Sequence, residues 1–230
     1  MPLDAVLAAL EREGLEALVL GPTYDARAPK PLRLSALAPF ARSGLLLLSG
    51  GARFVEGFLQ ANEPGPDPLD GYTRRLVGTS IEPLSDAGWR VAIRFPFWNE
   101  PNPLPFQAIA RAAGLAPSLL GLDLHPRYGP WIAYRALVLT DREIPETPID
   151  GFAPCATCSA PCIEACPVGA VGRAGWDAAR CFDHRRAGGC AEGCHARLAC
   201  PVGSAHRYPP HVLRFFQASG LACAGPSTAG

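Results

Sequence analysis

Cys155-Ala-Thr-Cys158-Ser-Ala-Pro161-Cys162-Ile-Glu-Ala-Cys166-Pro167 is the densest run of thiols in the chain. Its spacing is C-x2-C-x3-C-x3-C-P. A second set follows at Cys181, Cys190, Cys194 and Cys200-Pro201. Eight of the nine cysteines thus fall between residues 155 and 201, in two halves that each close on a Cys-Pro pair.

Thiols at such spacing suit the corners of an iron–sulfur cube. The bacterial two-cluster run is C-x2-C-x2-C-x3-C-P, one residue shorter than the first half here, and the cysteine before its proline ligates the other cluster. A short loop can wrap three iron corners, and the fourth thiolate must come from elsewhere. Small residues between the ligands let backbone N–H groups point at sulfur, which tunes potential. Both halves depart from the usual spacing: Pro161 is an extra residue in the first, and the second reads C-x3-C-x5-C-P. Either the loops bulge around intact clusters, or one cluster is altered or lost.

Two other uses of cysteine compete. A zinc ribbon pairs C-x2-C units across a longer gap and has no need of a terminal Cys-Pro. A disulfide framework requires an oxidising compartment, and nine cysteines leave one over. His184, His195 and His206 lie close in sequence and could replace a missing thiolate, as imidazoles do in Rieske centres. Cys223, in an Ala/Gly-rich tail, is assigned no role.

With 48% hydrophobic residues over 230 positions, the chain can bury a substantial core. Its formal net charge of zero argues against a protein built to wrap nucleic acid. Met1-Pro-Leu-Asp lacks the basic region of a signal peptide, and Leu45 to Leu48 is too short to span a membrane. The expected setting is reducing and cytoplasmic, without membrane contact.

Upstream of the cysteines, helical and strand patterns mix. Leu3, Val6, Leu7 and Leu10 repeat at helical spacing. Strands are expected at 16–20, 45–48, 89–95 and 131–139, with helices near Phe54 to Leu59, Tyr72 to Leu76 and Phe106 to Ala113. Ser49-Gly50-Gly51 reads as a tight turn, with anion binding at the next helix as the alternative. Arg74 and Arg75 read as a solvated face, with a phosphate contact as the alternative. Residues 1–143 are therefore expected to form an α/β (α+β) core domain, 144–154 a Pro-rich linker, 155–206 an iron–sulfur module, and 207–230 a closing helix and tail.

Three stretches resemble epoxyqueuosine reductase, the cobalamin-dependent iron–sulfur enzyme that completes queuosine in transfer RNA. They are Ala110 to Leu115 leading into His125-Pro-Arg-Tyr-Gly-Pro-Trp131, then Ala136 to Asp141, then the double cysteine motif with Asp177-Ala-Ala-Arg-Cys181 between its halves. The resemblance implies a core sheet like the nitroreductase-like fold of cobalamin-processing proteins, carrying a bacterial ferredoxin-like two-cluster module, with cobalamin between them. It implies that Cys155, Cys158, Cys162 and Cys200 hold one [4Fe–4S] cluster and Cys166, Cys181, Cys190 and Cys194 the other. It further implies that His125, Arg127, Tyr128, Gly129 and Trp131 help line the cobalamin pocket. Glu100, in Asn99-Glu-Pro-Asn-Pro103, stands where the family places a carboxylate proton donor. The N-terminal part matches the family poorly, and no basic stripe replaces the region some members use to grip tRNA, so tRNA binding is not expected.

The expected function is a two-cluster redox protein, acting as a corrinoid-dependent reductase on a small molecule or modified nucleoside and fed by a flavodoxin- or ferredoxin-type donor. A plain electron carrier and a zinc-binding structural module are the alternatives.

Overall fold

In the computed structural model, residues 2–97 and 103–223 are described, the side chains of 220–223 excepted. The chain divides into two compact units: residues 1–115 with 132–152, and residues 116–131 with 153–230.

The first unit is built on a four-stranded sheet. Its strands are β1 (Leu15–Leu20), β2 (Ser43–Gly50), β3 (Val91–Arg94) and β6 (Ile132–Thr140), in the order β1-β2-β6-β3, antiparallel throughout. Leu45 pairs with Val19 on one side and Val138 on the other. Leu45 to Leu48 and Ala136 to Leu139 are all fully buried, as β2 and β6 are the two inner strands. That explains why their sequences run continuously apolar instead of alternating.

Strand side chains alternate between faces. Leu46, Leu48, Leu137 and Leu139 lie in a cluster with Tyr24, Leu34, Phe106 and Ile109, under helices α2 (Pro22–Arg27), α3 (Leu34–Leu37) and α6 (Phe106–Ala112). The opposite parity meets α1 (Pro2–Arg12), α4 (Arg53–Ala61) and α5 (Pro68–Asp86), where α1 packs on α5 and α4 on β2. Tyr72 stands edge-on to Phe54 and Phe58, with centroids 5.4 and 5.7 Å away. The mixed helix-and-sheet class is the expected one, and α5 is longer than the sequence pattern suggested because its apolar stripe runs from Tyr72 to Leu84.

Tyr24 is buried, and its hydroxyl donates to the Leu32 carbonyl at 2.6 Å. Burial first, and then the Asp25 charge, hold the phenol well above its ordinary pKa. Tyr24→Phe should cost about 1 kcal/mol by orphaning that carbonyl. A thermal melt should register this as a Tm lower by about 2–4 °C.

Residues 144–152, expected as linker, are tied to the first unit. The Glu146 carboxylate accepts from the N–H groups of Thr23 and Tyr24 at 2.9 and 3.1 Å, satisfying donors at the start of α2. Ile144 N–H donates to Ser43 Oγ at 2.9 Å, and Arg27 pairs with Asp150.

The second unit is loop-rich. It contains the hairpins β4 (Ala116–Pro117)/β5 (Asp123–Leu124) and β7 (Val171–Gly172)/β8 (Gly175–Trp176). Its helices are α7 (Pro161–Glu164), α8 (Ala178–Arg186), α9 (His195–Leu198) and α10 (Pro210–Cys223). The Asp177 carboxylate caps α8 by accepting from Arg180 N–H at 3.0 Å. Residues 116–131, expected in the core domain, belong to this unit instead, for a reason seen at Gly129. Among the described residues, no helix is long and apolar enough to cross a membrane.

Candidate functional site

The second unit gathers eight thiols into two groups of four. Cys155, Cys158, Cys162 and Cys200 line one tight cavity of about 20 Å³. Cys166, Cys181, Cys190 and Cys194 line another of about 210 Å³. Each Cys-Pro cysteine therefore sits with the other half's thiols, so the two halves cross. Mutual electrostatics follow the same division: Cys200 feels Cys155, Cys162 and Cys158, whereas Cys194 feels Cys190 and Cys181. All eight are free thiols. Among the described residues, no three Cys, His, Asp or Glu side chains converge closely enough to hold a single metal ion.

Backbone geometry explains how the irregular spacing is absorbed. Ala160 adopts a left-handed conformation, φ 60°, just before Pro161. This turns Ala160 inward, where it is buried and its N–H donates to Cys158 Sγ at 3.3 Å. Cys190 is likewise left-handed, φ 56°, at the head of the second half's C-x3-C run. A left-handed non-glycine residue costs roughly 1–2 kcal/mol, which the surroundings must offset.

The sulfurs are electrostatically uneven. Burial pushes the Cys162, Cys194 and Cys200 thiols up, and neighbouring thiols add to it. Burial acts on Cys166 too, but the N–H groups of Val168, Val171, Ala170 and Gly169 outweigh it and bring its pKa down. The Ala170 N–H donates to Cys166 Sγ at 3.2 Å. Such a ring of donors holds an anionic sulfur, the form a metal cluster requires.

No protein-family profile matches this chain, and no curated protein sequence does. Solved structures match it. Epoxyqueuosine reductase from Streptococcus thermophilus superposes with a TM-score of 0.55 at 15% identity, over 96% of this chain and 75% of that one. The fold is that of epoxyqueuosine reductase. A reductase of that name bound to an epoxyqueuosine-modified tRNA-Tyr stem loop gives 0.50 at 18% identity, over 77% of this chain and 52% of the other. The B12-trafficking protein CblC of C. elegans gives 0.54 at 15% identity, over 94% and 91%. The likeness at these identities is one of fold.

Within this reductase fold, the segment 125–131 buttresses the second unit. His125 and Gly129 exchange backbone hydrogen bonds of 3.0 and 2.8 Å, and Trp131 N–H donates to the Tyr128 carbonyl at 3.0 Å. Gly129 lies against the turn that follows Cys200-Pro201: a Cβ on it would fall 2.0 Å from the Val202 carbonyl oxygen. Reciprocally, a Cβ on Gly203 would fall 2.1 Å from the Tyr128 carbonyl carbon. Tyr128 lies between His125, tilted at a centroid distance of 5.1 Å, and His206, edge-on at 4.7 Å. Trp131 is fully buried against Tyr208, edge-on at 5.2 Å. These contacts give His125, Gly129 and Trp131 a packing role, whereas exposed Arg127 and half-buried Tyr128 retain surface. Glu100 lies outside the described residues.

Of the three histidines near the thiols, His184 and His195 line the larger cavity, and His206 stands edge-on to Tyr128. Ser49 Oγ accepts from buried Arg135 Nε at 3.0 Å and donates to the Ala133 carbonyl at 3.4 Å. Arg75 pairs with Glu63 at 2.5 Å, and the Arg74 guanidinium lies over Phe95 and Phe97 at 4.9 and 4.8 Å. Sequence reasoning passed over Arg185, Arg197, Gly203 and Asp70. Burial, reinforced by Asp67, raises the Asp70 pKa against the opposing pull of Arg74 and Arg135. Only the glycine had a sequence signal, as the small residue of a Pro-Val-Gly turn.

Proposed function

We propose that this chain is an iron–sulfur redox protein carrying two [4Fe–4S] clusters, and that it delivers their electrons to a corrinoid in an epoxyqueuosine reductase-like reaction. The crossing of the two thiol sets carries the reading. Four thiols line each of two cavities, and each set borrows its Cys-Pro cysteine from the other half. A zinc ribbon has no use for that exchange. Cys155, Cys158, Cys162 and Cys200 would hold the first cluster, and Cys166, Cys181, Cys190 and Cys194 the second. The Cys166 sulfur with its N–H donors and the buried Ala160 N–H fit anionic ligands of this kind.

Clusters supply single electrons when bound; this chain's residues set their potentials and exclude water. The corrinoid part of the reading rests on the fold shared with epoxyqueuosine reductase and with CblC. Glu100 is the proposed proton donor to the reduced substrate. Arg127 and Tyr128 are the members of the 125–131 segment proposed to meet the corrinoid, with His125, Gly129 and Trp131 holding them in place. A flavodoxin- or ferredoxin-type protein would supply the electrons. The net charge of zero favours a small molecule or free modified nucleoside over tRNA as substrate.

The test is metal analysis of protein purified anaerobically with cobalamin present. Stoichiometric cobalt with about eight irons and matching sulfide is the expected result. About eight irons without cobalt would make the chain an electron carrier, and zinc in place of iron would overturn the proposal.

A further inference from the structure

The two thiol cavities differ in charge. The first is lined, besides its cysteines, by Ser118, leucines, prolines, Ala160 and Val202, with no ionisable side chain other than the thiols. Arg185 and Arg197 line the second. Each guanidinium is fixed at its far end: Arg185 Nη2 donates to the Gln217 carbonyl at 2.5 Å, and Arg197 Nη2 to the Pro130 carbonyl at 2.5 Å. Arg197 is held further by Trp131 and Tyr208, whose rings lie 4.5 and 4.9 Å from its central carbon. Yet the Nε–H of both arginines is buried with no hydrogen-bond partner among the described residues. A buried charged donor left unmatched is costly, so two such donors lining one cavity mark an acceptor that belongs there.

Resting on the two-cluster reading above, we infer that Arg185 and Arg197 are the potential-setting residues of the second cluster, donating from Nε to its sulfurs and making it the higher-potential centre of the pair. The physical basis is simple. Reduction adds one electron to a cluster that is already anionic with its four thiolates. Two fixed cations and two N–H donors stabilise that added charge, and hydrogen bonds to sulfur raise cluster potentials. The first cluster, in an uncharged and tighter cavity, lacks this help. The second therefore accepts the first electron from any one-electron donor, and the first is reduced only at lower potential.

The experiment is a dithionite redox titration of the anaerobically reconstituted full chain, followed by EPR. Wild type should show two clusters whose midpoints differ at least tenfold in oxidised-to-reduced ratio, about 59 mV for one electron. Cys181→Ala/Cys190→Ala should delete the higher-potential signal and leave the lower one. Arg185→Gln should lower only the higher midpoint, by threefold or more in that ratio, and Arg185→Lys should recover most of the loss. Arg197→Gln should act in the same direction, which guards against a local collapse confined to one variant. Coincident wild-type midpoints, a higher-potential signal that survives the cysteine double variant, or arginine variants that shift neither midpoint or both equally would overturn the inference while leaving two clusters in place. Protein without iron would instead overturn the cluster assignment itself.

Discussion

Cys155→Ala/Cys166→Ala should lose nearly all its iron, whereas Cys155→Ala/Cys200→Ala should lose no more than either single variant. Cys155 and Cys166 lie in one sequence motif, so grouping by chain order predicts the reverse. The structure puts Cys200 with Cys155, Cys158 and Cys162, and Cys166 with Cys181, Cys190 and Cys194. Each single variant should retain about four irons of about eight. Residues that act as one unit are non-additive and residues in separate units add, so the pair of doubles reports membership directly. Iron and sulfide per chain, with EPR of the surviving centre, is the measurement. Equal iron in the two doubles would sink the grouping.

Gly129→Ala should empty the first group and spare the second. Its Cβ would stand 2.0 Å from the Val202 carbonyl oxygen and 2.5 Å from the carbonyl carbon, both backbone atoms that no rotamer change can move. Gly129 also has a φ of 56°, adding roughly 1–2 kcal/mol of left-handed strain for alanine. Relief requires residues 202–203 to retreat, and Cys200 sits two positions upstream. The loss should appear as about four irons missing, with the EPR signal of the second centre retained. Gly203→Ala, which presses on Tyr128 from the other side, should act alike. Full iron loading in both variants would show that this backbone contact does not hold Cys200 in place.

The sheet was legible because burial leaves a simple trace. Leu45 to Leu48 and Ala136 to Leu139 are continuously apolar, and both are inner strands covered on two faces. The cysteine motif was legible because thiol spacing is chemistry written locally. The job of residues 125–131 was harder to read. His-Pro-Arg-Tyr-Gly-Pro-Trp carries three aromatic rings, and their polar edges suggest ligand contact as readily as packing. Only the approach of Gly129 to residues 202 and 203, far along the chain, shows what the glycine is for. Arg185 and Arg197 were invisible for a similar reason. Beside Asp183 and His195 they look like ordinary surface arginines, and nothing in the sequence shows that their Nε groups end up buried or that both residues line a cavity with thiols. Glu146 looked like linker, since its partners at Thr23 and Tyr24 lie more than a hundred residues away.

The order in which the units are threaded bears on biogenesis. Residues 116–131 belong to the second unit, but the chain then returns to lay β6 between β2 and β3 before the first thiol is reached at Cys155. On a ribosome, the whole sheet has therefore emerged before any of the eight grouped thiols has. Cys200 follows Thr140 by about sixty residues, roughly 3–12 s at ordinary synthesis rates. The nascent protein thus passes through a stage with a completed sheet and none of its eight grouped thiols. If the thiols hold clusters as proposed, a shortage of iron would leave chains with a completed sheet and eight unligated thiols, open to oxidation.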